Sequence, residues 1–215
     1  MRISVNQPYF APYAGWYRLL AATDVFVSLD DVQHIRRGWV NRCELIRRDG
    51  IRDWLTLPVK KTERDSTRIM DLQWAEGANE IWAKQTARFP VFDKLGGITH
   101  TCLFATQFDS PLRFIENLRY MICGKLELKN IFVSSSSLGV SGQSQEKIIS
   151  ICHKLGATEY VNAPGGINLY DEEAFAREGI TLTFLPPYKG DTISILERLA
   201  YEKPEEIRKE IYDNI

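Results

Sequence analysis

The feature that most constrains this chain is the alternation in its last third. "NIFVSSSSLG" reads as a short apolar strand running into hydroxyls, and "SQEKIISICHKLG" as an amphipathic helix closed by Gly156. "TEYV" is a strand followed by "NAPGG", "DEEAFAREG" a short helix, and "ITLTFL" a further strand. A helix between two strands carries the chain back along the sheet, so successive strands run parallel. The amino-terminal part fits the same plan. "RISV" is a strand, and "DVFVSLDD" is another that places Val25, Val27 and Leu29 on one face and Phe26, Ser28 and Asp30 on the other. The expected fold class is α/β, a mostly parallel sheet with flanking helices.

Two segments interrupt the alternation. "WVNRCELIRRDGIRDWLTLPV" reads as a projecting β-hairpin, because Asp49-Gly50 supplies a tight turn between two alternating runs. On its first arm Trp39, Asn41 and Cys43 share one face and Arg42 and Glu44 the other. A helical middle segment spans about residues 76–128, where "GANEIWAKQTARF" and "PLRFIENLRYMICGKL" carry helical signals. In "NQPYFAPYAGWYRLL", Pro8 and Pro12 forbid a regular helix over residues 7–12, which predicts a rigid loop delivering the chain to a helix near Ala14. "TISILERLAY" predicts a terminal helix capped by Asp191 or Thr192. One domain over residues 1–215 suits this length.

A formal net charge of −1 gives no global attraction to nucleic acid or an anionic membrane, so any anion site must come from local clustering. No apolar run reaches the roughly 18–20 residues of a spanning helix. Cys43, Cys102, Cys123 and Cys152 are widely spaced, lack CxxC pairing and follow no basic and apolar leader, so they read as reduced thiols of a cytoplasmic protein. Cys152 and His153 are adjacent, and a helix would turn them in different directions.

"LDDVQHIRRGWVNRCELI", residues 29–46, concentrates ionisable groups beside a core strand. Adjacent Asp30 and Asp31 repel unless a cation or backbone donors compensate, and Arg36, Arg37 and Arg42 are the local cations. In one reading Asp30 caps the next turn and Asp31 pairs with an arginine; in the other, one of them accepts or orients a substrate proton. His34 lies four residues beyond Asp30, so one helical turn would join them and make the imidazole a general base; otherwise it is a loop histidine. Trp39, Asn41 and Arg42 combine a stacking plate, an amide and a two-point anion grip, although a tryptophan on a hairpin also packs. Gln7, Tyr9 and Tyr13 ride on the proline-stiffened loop. Lys60, Lys61 and Arg64 fall in "KKTERDSTR", which reads as a mobile surface loop able to contact phosphate, as do "SSSSLG" and "NAPGG" through backbone nests. No Walker or GxGxxG order and no HxxxH or HxH spacing is present, so no structural metal is expected; a diffusible Mg²⁺ on Asp30 or Asp31 stays open, and no cofactor is named by the sequence.

Taken together, "NQPYFAPYAGW", "DVFVSLDDVQHIRRGWVNR", "WLTLPVKK", "LGATEYVNAPGGINLYD" and "ISILERL" resemble the WbqC-like family, in that order along the chain. The family is associated with bacterial O-antigen and related surface-polysaccharide (lipopolysaccharide) gene clusters. The resemblance implies a transferase that moves glycine or another aminoacyl group onto a sugar. Asn6 stands where the family opening carries histidine, so no acid or base role passes to that position. "RRGWVNR" keeps Arg37, Trp39, Asn41 and Arg42 of the family's "KRSWQNR" but places Gly38 and Val40 at two polar positions, and the family pattern does not require His34.

The resulting expectation is a cytoplasmic transferase moving an aminoacyl or acyl group onto a sugar-nucleotide-linked sugar. Asp30, Asp31 and His34 would handle the acceptor proton; Arg37, Asn41 and Arg42 would orient donor or acceptor. Trp39, Tyr9 and Tyr13 would stack, with Gln7 beside them, and Lys60 and Lys61 would form an anion-binding loop. Asn162, Gly165, Gly166 and Tyr170 follow a strand inside a family block and complete the binding set. The partner is thus a small molecule, a sugar nucleotide or activated amino acid, with no nucleic acid. Two alternatives remain: a nucleotidyltransferase-like enzyme, since strand, proline loop, helix and acid-ended strand resemble adenylating Rossmann-like domains, and a non-enzymatic module that binds a glycan or carrier.

Overall fold

The computed structural model describes residues 1–61 and 67–215. Five parallel strands form the central sheet: β1 (Arg2–Asn6), β2 (Val25–Ser28), β5 (Ile131–Ser134), β6 (Glu159–Asn162) and β7 (Thr181–Phe184), in the order β5-β2-β1-β6-β7. The chain starts at the centre, winds outward to β5, then crosses back to β6 beside β1. That reversal puts the topological switch point between β1 and β6, at whose carboxyl ends open doubly wound sheets usually bind ligands.

The alternation read in β2 is what the sheet uses. Val25 and Val27 pack into a cluster with Ile3, Ile148, Ile151 and Phe175, while Phe26 turns to the opposite face against Trp16 at 5.1 Å between ring centroids. One face is covered by α5 (Ser144–Leu155) and α6 (Glu172–Arg177). The other is covered by α1 (Ala14–Ala21), α4 (Pro111–Lys125) and α8 (Pro204–Asp213) together with the hairpin. Both faces are therefore dry, which explains apolar residues at successive positions of such short strands.

The hairpin pairs β3 (Arg42–Ile46) with β4 (Arg52–Thr56), antiparallel, through a turn whose Gly50 has φ +81°. The middle segment is helical as expected, in α2 (Ala78–Thr86), α3 (Gly97–Leu103) and α4. Helix α4 starts as its sequence dictates: Pro111 occupies the first turn and the Ser110 hydroxyl accepts from the Arg113 N–H at 3.3 Å. Gly156 closes α5 with φ +67°.

Two expectations fail at the carboxyl end. Helix α7 (Ile195–Tyr201) is capped by Ser194, whose hydroxyl accepts from the Leu196 N–H at 3.2 Å, not by Asp191 or Thr192. Asp191 instead pairs with Arg52 and accepts from the Ile193 N–H at 2.9 Å. Nor is α7 the last helix. Pro204 opens α8 directly after it, and Ile207 and Ile211, one helical turn apart, bury completely.

Candidate functional site

The loop after β2 is built like an irregular strand. The amides of Ile69 and Met70 donate to the carbonyls of Val32 and Asp30 at 2.9 and 2.8 Å, and His34 N–H donates to Thr67 O at 2.8 Å. The helical turn that would have joined Asp30 to His34 does not form. Both aspartates turn instead toward the serine run after β5. Asp30 is buried and accepts from Ser135 Oγ at 3.0 Å, from the Ser136 N–H at 2.9 Å and from Ser136 Oγ at 2.7 Å. Asp31 accepts from Ser135 Oγ at 2.5 Å and from Lys147 Nζ of α5 at 2.6 Å. The nest expected in "SSSSLG" to hold phosphate is thus filled by the chain's own carboxylate.

Charge at Asp31 is settled locally. Partial burial pushes its carboxyl up, but the Lys147 hydrogen bond, the Ser135 hydrogen bond and the ammonium charge outweigh this and hold it below the usual carboxylate value. The arginines next in sequence take no part: the Asp31 partner comes from α5, whose pattern gave no sign of it.

Those arginines face elsewhere. Ile35, Arg36, Arg37 and Gly38 make a tight turn, with Arg37 at φ +60° and the Gly38 N–H donating to Ile35 O at 3.1 Å. A Cβ on Gly38 would lie 3.0 Å from that carbonyl, so glycine keeps the turn tight. Val40, the other departure from the family pattern, is buried in the core. The Leu57 N–H donates to Asn41 O at 2.8 Å and ties this loop to the segment following β4.

Between these two segments lies a cavity of about 420 Å³, lined by His34, Arg36, Arg37, Asn41, Arg42, Thr56, Val59, Lys60 and Lys61. Six sequence candidates meet here, and among the described residues the wall carries five basic side chains and no carboxylate. His34 Nε2 lies 3.3 Å from Asn41 Oδ1, while Nδ1 is buried with no hydrogen-bond partner among the described residues. Burial pushes the imidazole pKa down; the Asn41 bond opposes this and the Arg36 charge adds to it. His34 is therefore held neutral to lower pH than a free histidine, partnered by an amide and not by Asp30. Arg42 is pinned by donating to Gly38 O at 3.2 Å and to Arg37 O, with its guanidinium 3.9 Å above the Trp54 ring.

The aromatic candidates also converge. Trp39 is half-buried and stacks on Tyr9 at 6.4 Å and 29°, with Tyr13 at 6.1 Å and Trp54 edge-on at 5.3 Å. Through Trp54 and Arg42 this aromatic group adjoins the cationic cavity. Gln7 sits at the carboxyl end of β1, half-buried.

The remaining candidates lie apart. Asn162 is buried at the end of β6 and accepts from the Ala163 N–H at 2.8 Å; a Cβ on Gly166 would stand 2.1 Å from Asn162 Nδ2. Tyr170 packs on Tyr160 and Phe175 at 5.7 and 5.9 Å. Together with the exposed Gly165 they shape a close turn outside the cationic cavity. Arg64 falls outside the described residues.

The WbqC-like protein family matches residues 7–201. The chain belongs to this family. The matched span of the WbqC-like chain runs from Gln7 through the cationic cavity to the end of α7. The chain is also 23% identical to an uncharacterized protein, Rv1507c, of Mycobacterium tuberculosis over 188 residues, covering 85% of this chain and 81% of that one. No solved structure matches.

The cysteines are excluded as nucleophiles. All four are buried, and burial pushes the thiols of Cys43, Cys123 and Cys152 up to about 12. His153 pairs with Glu178 at 2.9 Å, away from Cys152. Among the described residues no group of three His, Cys, Asp or Glu side chains could hold a metal ion, and no helix is long and apolar enough to cross a membrane.

Proposed function

We propose that this WbqC-like protein is a transferase of surface-polysaccharide biosynthesis that holds a sugar nucleotide by its phosphates in the cationic cavity and passes an aminoacyl or acyl group to the sugar. The observation that carries the reading is the convergence of Arg37, Arg42, Lys60 and Lys61 on one hollow, with no carboxylate among the described residues of its wall, in a chain whose net charge is −1. Cationic side chains gathered around one hollow suit a bound polyanion, whose charge offsets their mutual repulsion. The adjoining Trp39, Tyr9 and Tyr13 offer rings for a base or sugar face to stack on. The sugar and the aminoacyl or acyl group are what the resemblance to the family implies, and they are part of the proposal.

Burial keeps the His34 imidazole neutral and Asn41 fixes its orientation, but its Nδ1 is buried, so His34 is assigned to shaping the cavity wall and not to taking a substrate proton. With Asn41 Oδ1 facing Nε2, that nitrogen carries the proton and Nδ1 keeps the lone pair. Asp30 and Asp31 are assigned to anchoring the loop: their oxygens are engaged by Ser135, Ser136 and Lys147, and neither lines the cavity.

The test is titration of the protein with UDP-sugars and with ATP, by calorimetry and thermal shift at low and high salt. A UDP-sugar should stabilise the protein, with affinity falling as salt rises. Lys60→Glu with Lys61→Glu should weaken binding roughly tenfold or more, as expected for losing charge-assisted phosphate contacts. UDP-sugar binding that ignores both the substitutions and salt removes the cavity from the site. Stabilisation by ATP alone favours the nucleotidyltransferase reading, for which the doubly wound strand order speaks. Binding without product by mass spectrometry, under conditions supplying an activated amino acid, favours the non-enzymatic module.

A further inference from the structure

A second cavity, of about 320 Å³, opens where the carboxyl end of β5 meets the flank of α4, and it shares no residue with the cationic one. Its wall carries both signs of charge. Glu116 and Arg119, three apart on α4, both face it, with Arg113 about one turn before Glu116 and the aromatic rings of Phe108, Tyr120 and Phe132 around them. Neither Glu116 nor Arg119 belongs to any ion pair among the described residues.

Arg119 is held rigidly for a group that makes so few polar contacts. It is only 4% exposed, its guanidinium lies 4.8 Å from the Phe132 ring centre and 5.2 Å from that of Phe26, and Nη1 donates to Ser28 Oγ at 3.3 Å. Its Nε is buried with no hydrogen-bond partner. Burial pushes the Glu116 carboxyl up and the Arg119 guanidinium down, each charge only partly offsetting the other's loss of water. Keeping a buried guanidinium and a half-buried carboxylate apart forgoes the attraction that would offset their loss of water. A purely structural pair would close.

A ligand with one charge leaves half of this arrangement uncompensated. A phosphate dianion would meet the Glu116 carboxylate, and a simple amine would meet two arginines. A molecule carrying ammonium and carboxylate a few ångströms apart satisfies both ends. We propose that this cavity binds a small zwitterion, an α-amino acid, with its ammonium on Glu116, its carboxylate on Arg119 and its side chain against the Phe108, Tyr120 and Phe132 rings. The cavity lies at the low end of the size range of small-molecule sites, which suits so small a ligand. The proposal needs no chemistry at the cationic cavity and stands whether or not a sugar nucleotide binds there.

The experiment is calorimetric titration of the wild-type protein with each common L-amino acid. The tightest binder is then compared with its carboxylic acid lacking the amine and with its amine lacking the carboxylate. The amino acid should bind roughly tenfold or more tighter than either analogue, since each loses one charge-assisted contact. Glu116→Gln, nearly isosteric, should weaken the amino acid by a similar factor and leave the amine-free acid little changed. Replacing the packed Arg119 endangers folding, so its part is read from the analogues on the wild-type protein. The proposal is overturned if no amino acid binds at millimolar concentration, if the amine-free acid binds as tightly as its parent, or if Glu116→Gln binds the amino acid as well as wild type.

Discussion

Replacing Lys147 with methionine isolates the role of the Asp31 ion pair. The pair spans 2.6 Å, with side chains 12% and 16% exposed, so it lies much nearer the buried limit than the surface one. Removing one partner of a buried pair costs about 3–5 kcal/mol, whereas an exposed pair is worth about 0–1. Asp31 keeps its bond from Ser135 at 2.5 Å, which offsets part of the loss. A cost of about 2–3 kcal/mol follows, or roughly 5–10 °C in Tm for a domain of this size. The sign of the pH dependence is fixed by the lowered Asp31 pKa. Its stabilisation is fully present above the unfolded value of about 4 and disappears as pH falls through the folded value. In Lys147→Met burial, the serine bond and a backbone hydrogen bond remain without the ammonium, so the carboxyl titrates at higher pH than in wild type. Thermal melts from pH 7 down to pH 3 should therefore show a wide gap between the two proteins at neutrality that closes in acid. In an Asp31→Asn background the same lysine substitution should cost less than about 1 kcal/mol, because no charge is left to strand. An equal cost in both backgrounds, or a gap that is constant with pH, would refute the assignment of Asp31 to anchoring.

Gly166→Ala should destabilise by about 1–3 kcal/mol, because the new methyl meets Asn162 Nδ2 at 2.1 Å and a Tyr170 ring carbon at 3.2 Å. Urea denaturation measures it, and pairing the change with Asn162→Ser should recover part of the loss; a fully additive double variant contradicts the packing account. The native protein at pH 8 should react with a thiol reagent only as fast as it unfolds, since Cys43, Cys102, Cys123 and Cys152 are all buried; stoichiometric labelling within seconds without loss of structure would contradict this.

The sequence alone determined the parallel sheet, because period-two runs such as Val25, Phe26 and Val27 and glycine-closed helices such as that ending at Gly156 are set by interactions within a few residues. It also marked Arg37, Asn41, Arg42, Lys60 and Lys61 as binding candidates, and these meet around one cavity. Local signals do not decide among neighbouring capping residues: Asp191, Thr192 and Ser194 are all suitable types, and the fold seats Ser194. Only the tertiary structure decided what the aspartates do. Lys147 reaches Asp31 from 116 residues away, and Ser135 reaches Asp30 from 105, through the pairing of β2 with β5. The opposed charges of Glu116 and Arg119 are likewise silent in sequence, where they read as an ordinary helical pair three apart. Which carboxylate keeps its charge, and against what, depends on burial and on partners brought in by the sheet, and no window of neighbouring residues contains either.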